Sequence, residues 1–422
     1  MFKFVIEQSG FLNEVGAAIH VAPNASRILK EWECDFKTLQ ASQCNRLQVT
    51  KELQTALGIH DDWLLTHRVD LHNTLRATAA QEFNGRRVNI RLSSRVQSVD
   101  AETGIVTLDD ETMFTGDLVI GADGIHSRTV SSVTGEESSK ESTGQNCFRF
   151  LIPVSKALNN ELASSLLKKT GLDGLHAFTA SDRRLVFYPC RQGQLLNVAG
   201  IHPLGDDTSA KESSWLDSSS VEHLLETYKE FGPELREMCR LGEDVKLWSL
   251  ASRSPPTKFV KDRFALVGDA AHPTLPHQGQ GGAQAFEDGA ALGALFPSDT
   301  TPEQVSGRLE LYNKIRYERA LTVMMMSKTH DERRAEMLDE LRKYVPSAEL
   351  PKDMFSFTWP SNPAEDAQGL LAASRGNFLE AMLGEISVQG QDTDQCGTRD
   401  EITRWRADGI AYNIAQECTG DP

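Results

Sequence analysis

At 422 residues, with 39% hydrophobic and 25% charged positions, the chain has the length of one large domain or two to three ordinary ones and the make-up of a globular protein. Its 44 basic and 60 acidic residues leave a formal charge of −16, and no basic stripe interleaved with aromatics runs through it, which argues against nucleic acid as a partner. Seven cysteines without a C-x-x-C pair fit a reducing, cytoplasmic setting better than a disulfide framework or a zinc site, and no apolar run approaches the roughly 18 residues of a membrane span.

The chain opens in a strand, the apolar run Phe2 to Ile6, which ends at Glu7; a carboxylate so early argues against a signal peptide. Gly16-Ala17-Ala18-Ile19 leads through Pro23-Asn24 into a helix near Ala25 to Glu33, with Asn24 as its cap. The sequon Asn24-Ala25-Ser26 therefore reads as a helix start, not a glycosylation site. Gln40 to Gly58 is polar and weakly periodic. Asp70 is expected to cap a second helix, with Leu71, Leu75, Thr78 and Ala79 on one face.

Short strands over Val88 to Leu92, Val96 to Asp100 and Ile105 to Leu108 read as a β-meander, and Leu118-Val119-Ile120 as a core strand. Residues 147 to 250 alternate strands such as Arg184 to Tyr188 and Leu195 to Ala199 with a polar insertion, Gly205 to Ser220, giving a separate, mostly antiparallel sheet. Arg308 to Tyr344 is a long amphipathic helical region in which Met324-Met325-Met326 is core packing. Beyond about Pro346 the periodicity fades, and Gln389 to Thr398 belongs to a poorly ordered tail.

Four stretches carry chemistry. The apolar strand at Leu266-Val267 runs into Gly268-Asp269, then a Pro-punctuated loop, then Gly279-Gln280-Gly281-Gly282, which opens an Ala-rich helix. One carboxylate, suited to sugar-like hydroxyls, and a row of bare helix-start amides, suited to an anion, thus arrive together, as a ribityl-phosphate cofactor such as a flavin requires. Leu118 to Ile120 runs into Gly121-Ala122-Asp123-Gly124-Ile125-His126-Ser127-Arg128. Arg68-x-Asp70-Leu71-His72 stands at a helix start, and Glu7 is followed by Glu14-Val15-Gly16-Ala17-Ala18-Ile19. Read singly, these also have ordinary meanings: an exposed Glu, a surface Arg, a strand-to-loop turn.

Arg149 alternates with apolar neighbours in Cys147 to Pro153, and a charge on a core-facing strand needs a partner or a pocket. The spacings His67/His72 and His272/His277 straddle a helix cap and a Pro-rich loop, so neither makes a metal pair. No G-x-S-x-G and no phosphate-binding P-loop occurs.

In this order the stretches resemble the FAD-dependent aromatic monooxygenases of the salicylate-hydroxylase type, which share the para-hydroxybenzoate-hydroxylase fold, over roughly residues 2 to 345. The likeness is nearest to fungal secondary-metabolite members. It implies an α/β fold: a Rossmann-like FAD/NAD(P)-binding domain from discontinuous segments 1–135 and 251–330, a mixed or antiparallel-sheet substrate domain at 136–250, and C-terminal helices and tail at 331–422.

It also implies FAD as cofactor. Glu7 would bind the adenosine ribose hydroxyls, Arg68 would lie along the cofactor, and Asp269 would hold the ribityl chain. Ala18 joins the cofactor contacts, and Asp123 belongs to a fingerprint used for both FAD and the reduced nicotinamide. Gly282 belongs to the helix start near the flavin pyrimidine ring, where positive potential favours the anionic reduced flavin. NAD(P)H and O2 would be consumed to hydroxylate or epoxidise an aromatic or prenylated small molecule. Arg149 would act electrostatically or as proton donor and Tyr188 as an orienting hydroxyl, without a metal, in a monomer or homodimer.

The pattern breaks near its start. The family's G-x-G-x-x-G, about 20 residues before the ribose-binding acid, does not occur. The expected piece is a strand, glycine loop and helix of roughly 30 residues. Its loss would leave the Rossmann-like domain incomplete at the N-terminus, with a gap in the centre of the sheet and no main pyrophosphate cradle. Cys44 to Trp63 is also short, and the pattern is lost after about Ala364. A truncated or mis-spliced gene is the first expectation. A non-catalytic remnant of the family, and a flavin oxidase or reductase without oxygen insertion, stand as alternatives.

Overall fold

The computed structural model describes residues 3–10, 17–45, 54–82, 87–136, 140–205, 219–329 and 331–374. Residues 1–368 make one compact unit, which holds every element named below; of the second unit, 369–422, residues 369–374 are described and are helical. Glu14 to Gly16, the middle of Gln40 to Gly58, most of Gly205 to Ser220 and the tail with Gln389 to Thr398 lie outside the described residues.

The elements that position the site begin with β1 (Lys3–Ile6), β2 (Ala18–Val21), α1 (Pro23–Glu31), β3 (Ser42–Gln43), β4 (Leu64–His67) and α2 (Arg68–Ala79). There follow β5 (Val88–Arg91), β6 (Val96–Asp100), β7 (Ile105–Leu108), β8 (Met113–Thr115) and β9 (Val119–Gly121). Next come β10 (Glu141–Pro153), α3 (Glu161–Thr170), β11 (His176–Thr179), β12 (Arg184–Cys190), β13 (Leu195–Pro203), α4 (Pro233–Arg240) and β14 (Glu243–Ser252). The last are β15 (Val260–Lys261), β16 (Phe264–Leu266), α5 (Gly281–Leu295) and α6 (Val305–Met326).

Both expected helix caps are corrected. The cap of α1 is Ala22, with Pro23 in the first turn, where its missing N–H costs nothing. Asn24 lies inside the helix, fully buried, and donates to Glu287 (2.7 Å) and Gln280 (3.2 Å) on the α5 side. His67 precedes α2, and Asp70, one turn in, accepts two bonds from Arg191 at 2.8 and 3.0 Å. In both helices a tertiary partner draws inward a side chain that local chemistry would have placed on the cap. The long region from Arg308 also breaks: α6 stops at Met326, and a 3-10 turn over Asp331–Met337 and a short helix at Leu338–Arg342 follow. Met324, Met325 and Met326 are buried in the core.

The five-stranded sheet runs β11-β12-β13-β10-β14, antiparallel throughout. Successive side chains on a strand face opposite ways, and that alternation gives the sheet two different faces. Phe148, Phe150, Ile152, Phe187, Leu196 and Val198 pack with Leu166 and Leu167 of α3 and Met238 of α4. The opposite face, with Leu151, Tyr188 and Leu195, packs on Ala18, Trp63, Leu65 and Trp359.

The meander is β6-β7-β8; Val88 to Arg91 leaves it and pairs in parallel with β1. A second parallel pair, β9 with β16, has β15 at its far edge. The two parallel pairs form separate sheets, and Phe4, Val5 and Ile120 on them stay 50%, 45% and 45% exposed, far more than strands sandwiched in a parallel sheet allow.

Candidate active site

β16 delivers the chain into a turn at Gly268, whose φ of +56° favours glycine. The Gly268 N–H donates to Asp288 Oδ2 (2.8 Å) on α5, and His272 Nε2 meets the same oxygen at 2.7 Å. Arg316 Nε of α6 donates to Asp288 Oδ1 at 2.8 Å. Neighbouring Glu287 accepts from Arg319, Asn24 and Arg316. Glu287, Asp288 and Arg316 are fully buried. Burial alone would push the Asp288 carboxyl up; His272 and Arg316 outweigh it and hold the group at about 2. Buried charges persist only when paired and hydrogen-bonded, so this network locks the turn onto the helix. Sequence reasoning missed it, although two acids amid the alanines of α5 were a signal that partners must exist.

Asp269, one residue on, is exposed on its surface yet densely surrounded by protein. Burial pushes its carboxyl up, while His272, Arg68 and Arg253 pull it down. Arg68, at the start of α2, is exposed, and its N–H donates to Ala17 O at 3.0 Å. Ala18 pairs with His67 across β2 and β4, so Ala18, Arg68 and Asp269 belong to one neighbourhood.

Arg253 is a second residue that the sequence reading missed. It is 2% exposed and donates to the carbonyls of Ala270 (3.3 Å), Asp269 (3.2 Å), Gly124 (3.3 Å) and Ile125 (3.0 Å). It thereby ties the Asp123-Gly124 loop to the Asp269 turn. The Asp123 carboxylate itself accepts from Arg128 N (2.8 Å), Thr129 N (3.1 Å) and Thr129 Oγ1 (2.8 Å), which shapes its own loop.

α5 begins at Gly281 without a side-chain cap or an acid in its first turn, which leaves its leading amides for a ligand. Gly282 lies beside β2: a Cβ built on it would come 3.0 Å from Ile19 Cδ1. Across from β2 stands the five-stranded sheet. Asn197 Oδ1 of β13 accepts the Ala18 N–H at 3.0 Å and joins the two bodies of structure. The Ala18 amide is thus taken by protein. Arg149 borders an irregularity in the β10–β14 register, and bulges of this kind re-aim side chains. Its guanidinium lies 5.0 Å from the Trp248 ring centre, and its Nε is buried without a hydrogen-bond partner among the described residues. Tyr188, on the same face of the sheet, is buried; burial pushes its phenol well up, against the pull of Arg149.

Glu7 stands apart from this cluster. At the end of β1 it accepts the Ser9 N–H at 2.7 Å, and among the described residues no hydrogen bond or ion pair links it to the Asp269 neighbourhood. The residues present fit the isoalloxazine-to-ribitol half of FAD: an exposed acid, uncapped helix amides and an arginine within electrostatic reach of the acid. For the pyrophosphate half, the described residues contain no glycine-rich strand-to-helix turn.

The description "FAD binding domain" matches residues 37–327. A FAD-dependent monooxygenase, phomE', of Diaporthe leptostromiformis is 34% identical over 367 residues, covering 82% of this chain and 90% of the relative. Hispidin-3-hydroxylase of Neonothopanus nambi is 29% identical, covering 75% and 79%. Among solved structures, a complex of CtdE with FAD and a substrate has a TM-score of 0.68 at 18% identity, covering 87% of this chain and 91% of that one. A salicylate hydroxylase substrate complex has a TM-score of 0.62 at 20% identity, covering 83% and 90%. These two likenesses establish the α/β flavoprotein fold.

Proposed function

The chain belongs to the family of FAD-dependent monooxygenases that share this FAD-binding domain, and from that premise we propose that it oxygenates an aromatic or prenylated small molecule of secondary metabolism at the cleft floored by Asp269. Bound FAD supplies the redox chemistry: reduction by NAD(P)H and transfer of one oxygen atom from O2. In this reading Asp269 accepts hydroxyls of the ribityl chain, the first-turn amides around Gly282 face the pyrimidine edge, and Arg68 offsets phosphate charge. Glu7 takes the adenosine ribose, Asp123 shapes the loop that Arg253 holds against the Asp269 turn, and Ala18 lines the cofactor side of β2. Arg149 and Tyr188 face the substrate from the sheet, one as a positive charge and the other as an orienting hydroxyl.

We keep 1–135 with 251–330 as the cofactor domain, 136–250 as the substrate domain and 331–422 as the C-terminal region. No helix among the described residues is long and apolar enough to cross a membrane; the proposed setting is the cytoplasm, as monomer or homodimer.

The observation that carries the reading is the exposed Asp269 carboxylate, on a turn that a buried ionic network fastens to α5, the helix whose first turn is uncapped. Purified protein should take up FAD and show flavin absorbance, oxidise NAD(P)H faster when a phenolic substrate is added, and release an oxygenated product. Hispidin, named in one relative, is one trial substrate. Peroxide without oxygenated product would leave an oxidase. The unjoined parallel pairs favour a second reading, a family member that binds FAD weakly or not at all. A colourless protein that added FAD does not restore would decide for it.

A further inference from the structure

On β2, one residue past the Ile19 that approaches Gly282, stands His20. The indole N–H of Trp63 lies 3.1 Å from His20 Nδ1. An indole nitrogen only donates, so Nδ1 must be the acceptor and the ring proton must sit on Nε2. Burial agrees: it lowers the imidazole to about 4 and keeps the ring neutral at neutral pH. Nε2 lies against the turn that opens α5. A Cβ on Gly279 would meet it at 1.5 Å, and Gly279 has a φ of +61°, so glycine is required there twice over.

Three features surround this donor. Tyr188 stands edge-on, with ring centres 6.5 Å apart, and is 6% exposed; among the described residues its hydroxyl has no hydrogen-bond partner. Trp63, Trp359 and Phe355 pack together at ring distances of 4.8 to 6.3 Å and supply an apolar aromatic wall. Among the described residues, Nε2 too has no hydrogen-bond partner. A neutral donor and a phenol hydroxyl set between aromatic rings, beside an uncapped helix start, suit a flat ring that carries an oxygen acceptor.

We propose that His20 is a specificity-determining residue of the substrate pocket, its Nε2–H donating to an oxygen substituent on the aromatic ring that is to be oxygenated. This rests on the monooxygenase reading only for the word substrate; the binding itself is testable without turnover. The probes are 2-naphthol and 2-methylnaphthalene, alike in shape and different in the oxygen acceptor. Equilibrium dialysis against wild type, His20→Phe and His20→Gln, with and without FAD, gives the ratio of their affinities.

The expected result is a ratio that falls about tenfold in favour of the methyl probe on His20→Phe, the size of one neutral hydrogen bond, and recovers in part in His20→Gln. FAD affinity should stay at the wild-type level. An unchanged ratio in His20→Phe, or a tenfold loss of FAD affinity with the ratio intact, overturns the proposal. Should His20→Phe fail to fold, Trp63→Phe asks the same question by releasing the tautomer, and a wild-type ratio there overturns it too. A chain that takes no FAD but still shows the ratio change refutes the oxygenase function and keeps this site.

Discussion

Asp269 and Asp288 serve the same turn, and their surroundings give them opposite tasks. Asp288 is sealed from water, bonded to Gly268, His272 and Arg316, and held low; Asp269 is open to the cleft and pushed up. Asp269→Ala should weaken FAD binding by about 10- to 100-fold, the range of hydrogen bonds to a charged acceptor, with little change in stability. Titration of FAD into the variant checks this, and unchanged affinity would mean that the carboxylate serves something else. Asp288→Ala should do the reverse first: it takes one of the two carboxylates from the buried Arg316, leaves the Gly268 N–H and His272 without their acceptor, and should lower unfolding free energy by about 3–5 kcal/mol in a denaturant titration.

His20 gives a pH test at the same scale. Its folded value, about 4, lies below the 6.5 of a free imidazole. As pH falls from 6.5 towards 4 the unfolded chain takes up the proton before the folded one does, so stability present above pH 6.5 is lost across that window. The full effect is on the order of 3 kcal/mol. His202 is lowered to a similar value, so the informative quantity is the difference from His20→Phe, whose stability should fall less steeply between pH 6.5 and 4. Parallel curves for the two proteins would refute the burial of a neutral ring.

At the scale of elements, the misplaced caps and the missed network have one cause. α1 and α5 carry Asn24 and Glu287 at positions that look like a helix start and an interior blemish, yet the two side chains bond to each other at 2.7 Å. Local chemistry ranks Asn as a cap; a buried carboxylate on another helix outranks it. Arg253 follows the same logic between two loops. Arg253→Met should take the shared donor from the carbonyls of Ala270, Asp269 and Ile125, while that of Gly124 keeps the Ser127 N–H; it should lower stability by about 3 kcal/mol and weaken FAD binding together, because carbonyls left short of a donor carry a desolvation cost. A stability loss without any effect on FAD uptake would show that the Asp123 and Asp269 loops need no common tie.

At the scale of the whole molecule, the five-stranded sheet reaches β2 through its second face, where Asn197 receives the Ala18 N–H. Asn197 is 2% exposed, so Asn197→Ala should cost about 1–3 kcal/mol and raise KM more than it changes kcat, since it loosens the seat of the pocket and not the reacting groups. Steady-state kinetics beside a melting curve would show a kcat-only effect if that seating plays no part.

The order of strand ends, glycines and acids along the chain was enough to fix the α/β class, the flavin family and the Asp269 turn, because backbone turns and helix starts are written in neighbouring residues. The strands at Arg184 to Tyr188 and Leu195 to Ala199 likewise announced a mostly antiparallel sheet, and that is how they pair. Tertiary structure alone decided that Asn24 and Asp70 turn inward, that Val88 to Arg91 deserts the meander for β1, that Arg253 and Asn197 tie distant segments, and that His20 meets Trp63 and Gly279. Each of these depends on a partner 43 to 263 positions away in sequence, and pairing across such separations is set by which buried charges and donors find each other on collapse, which no local pattern encodes.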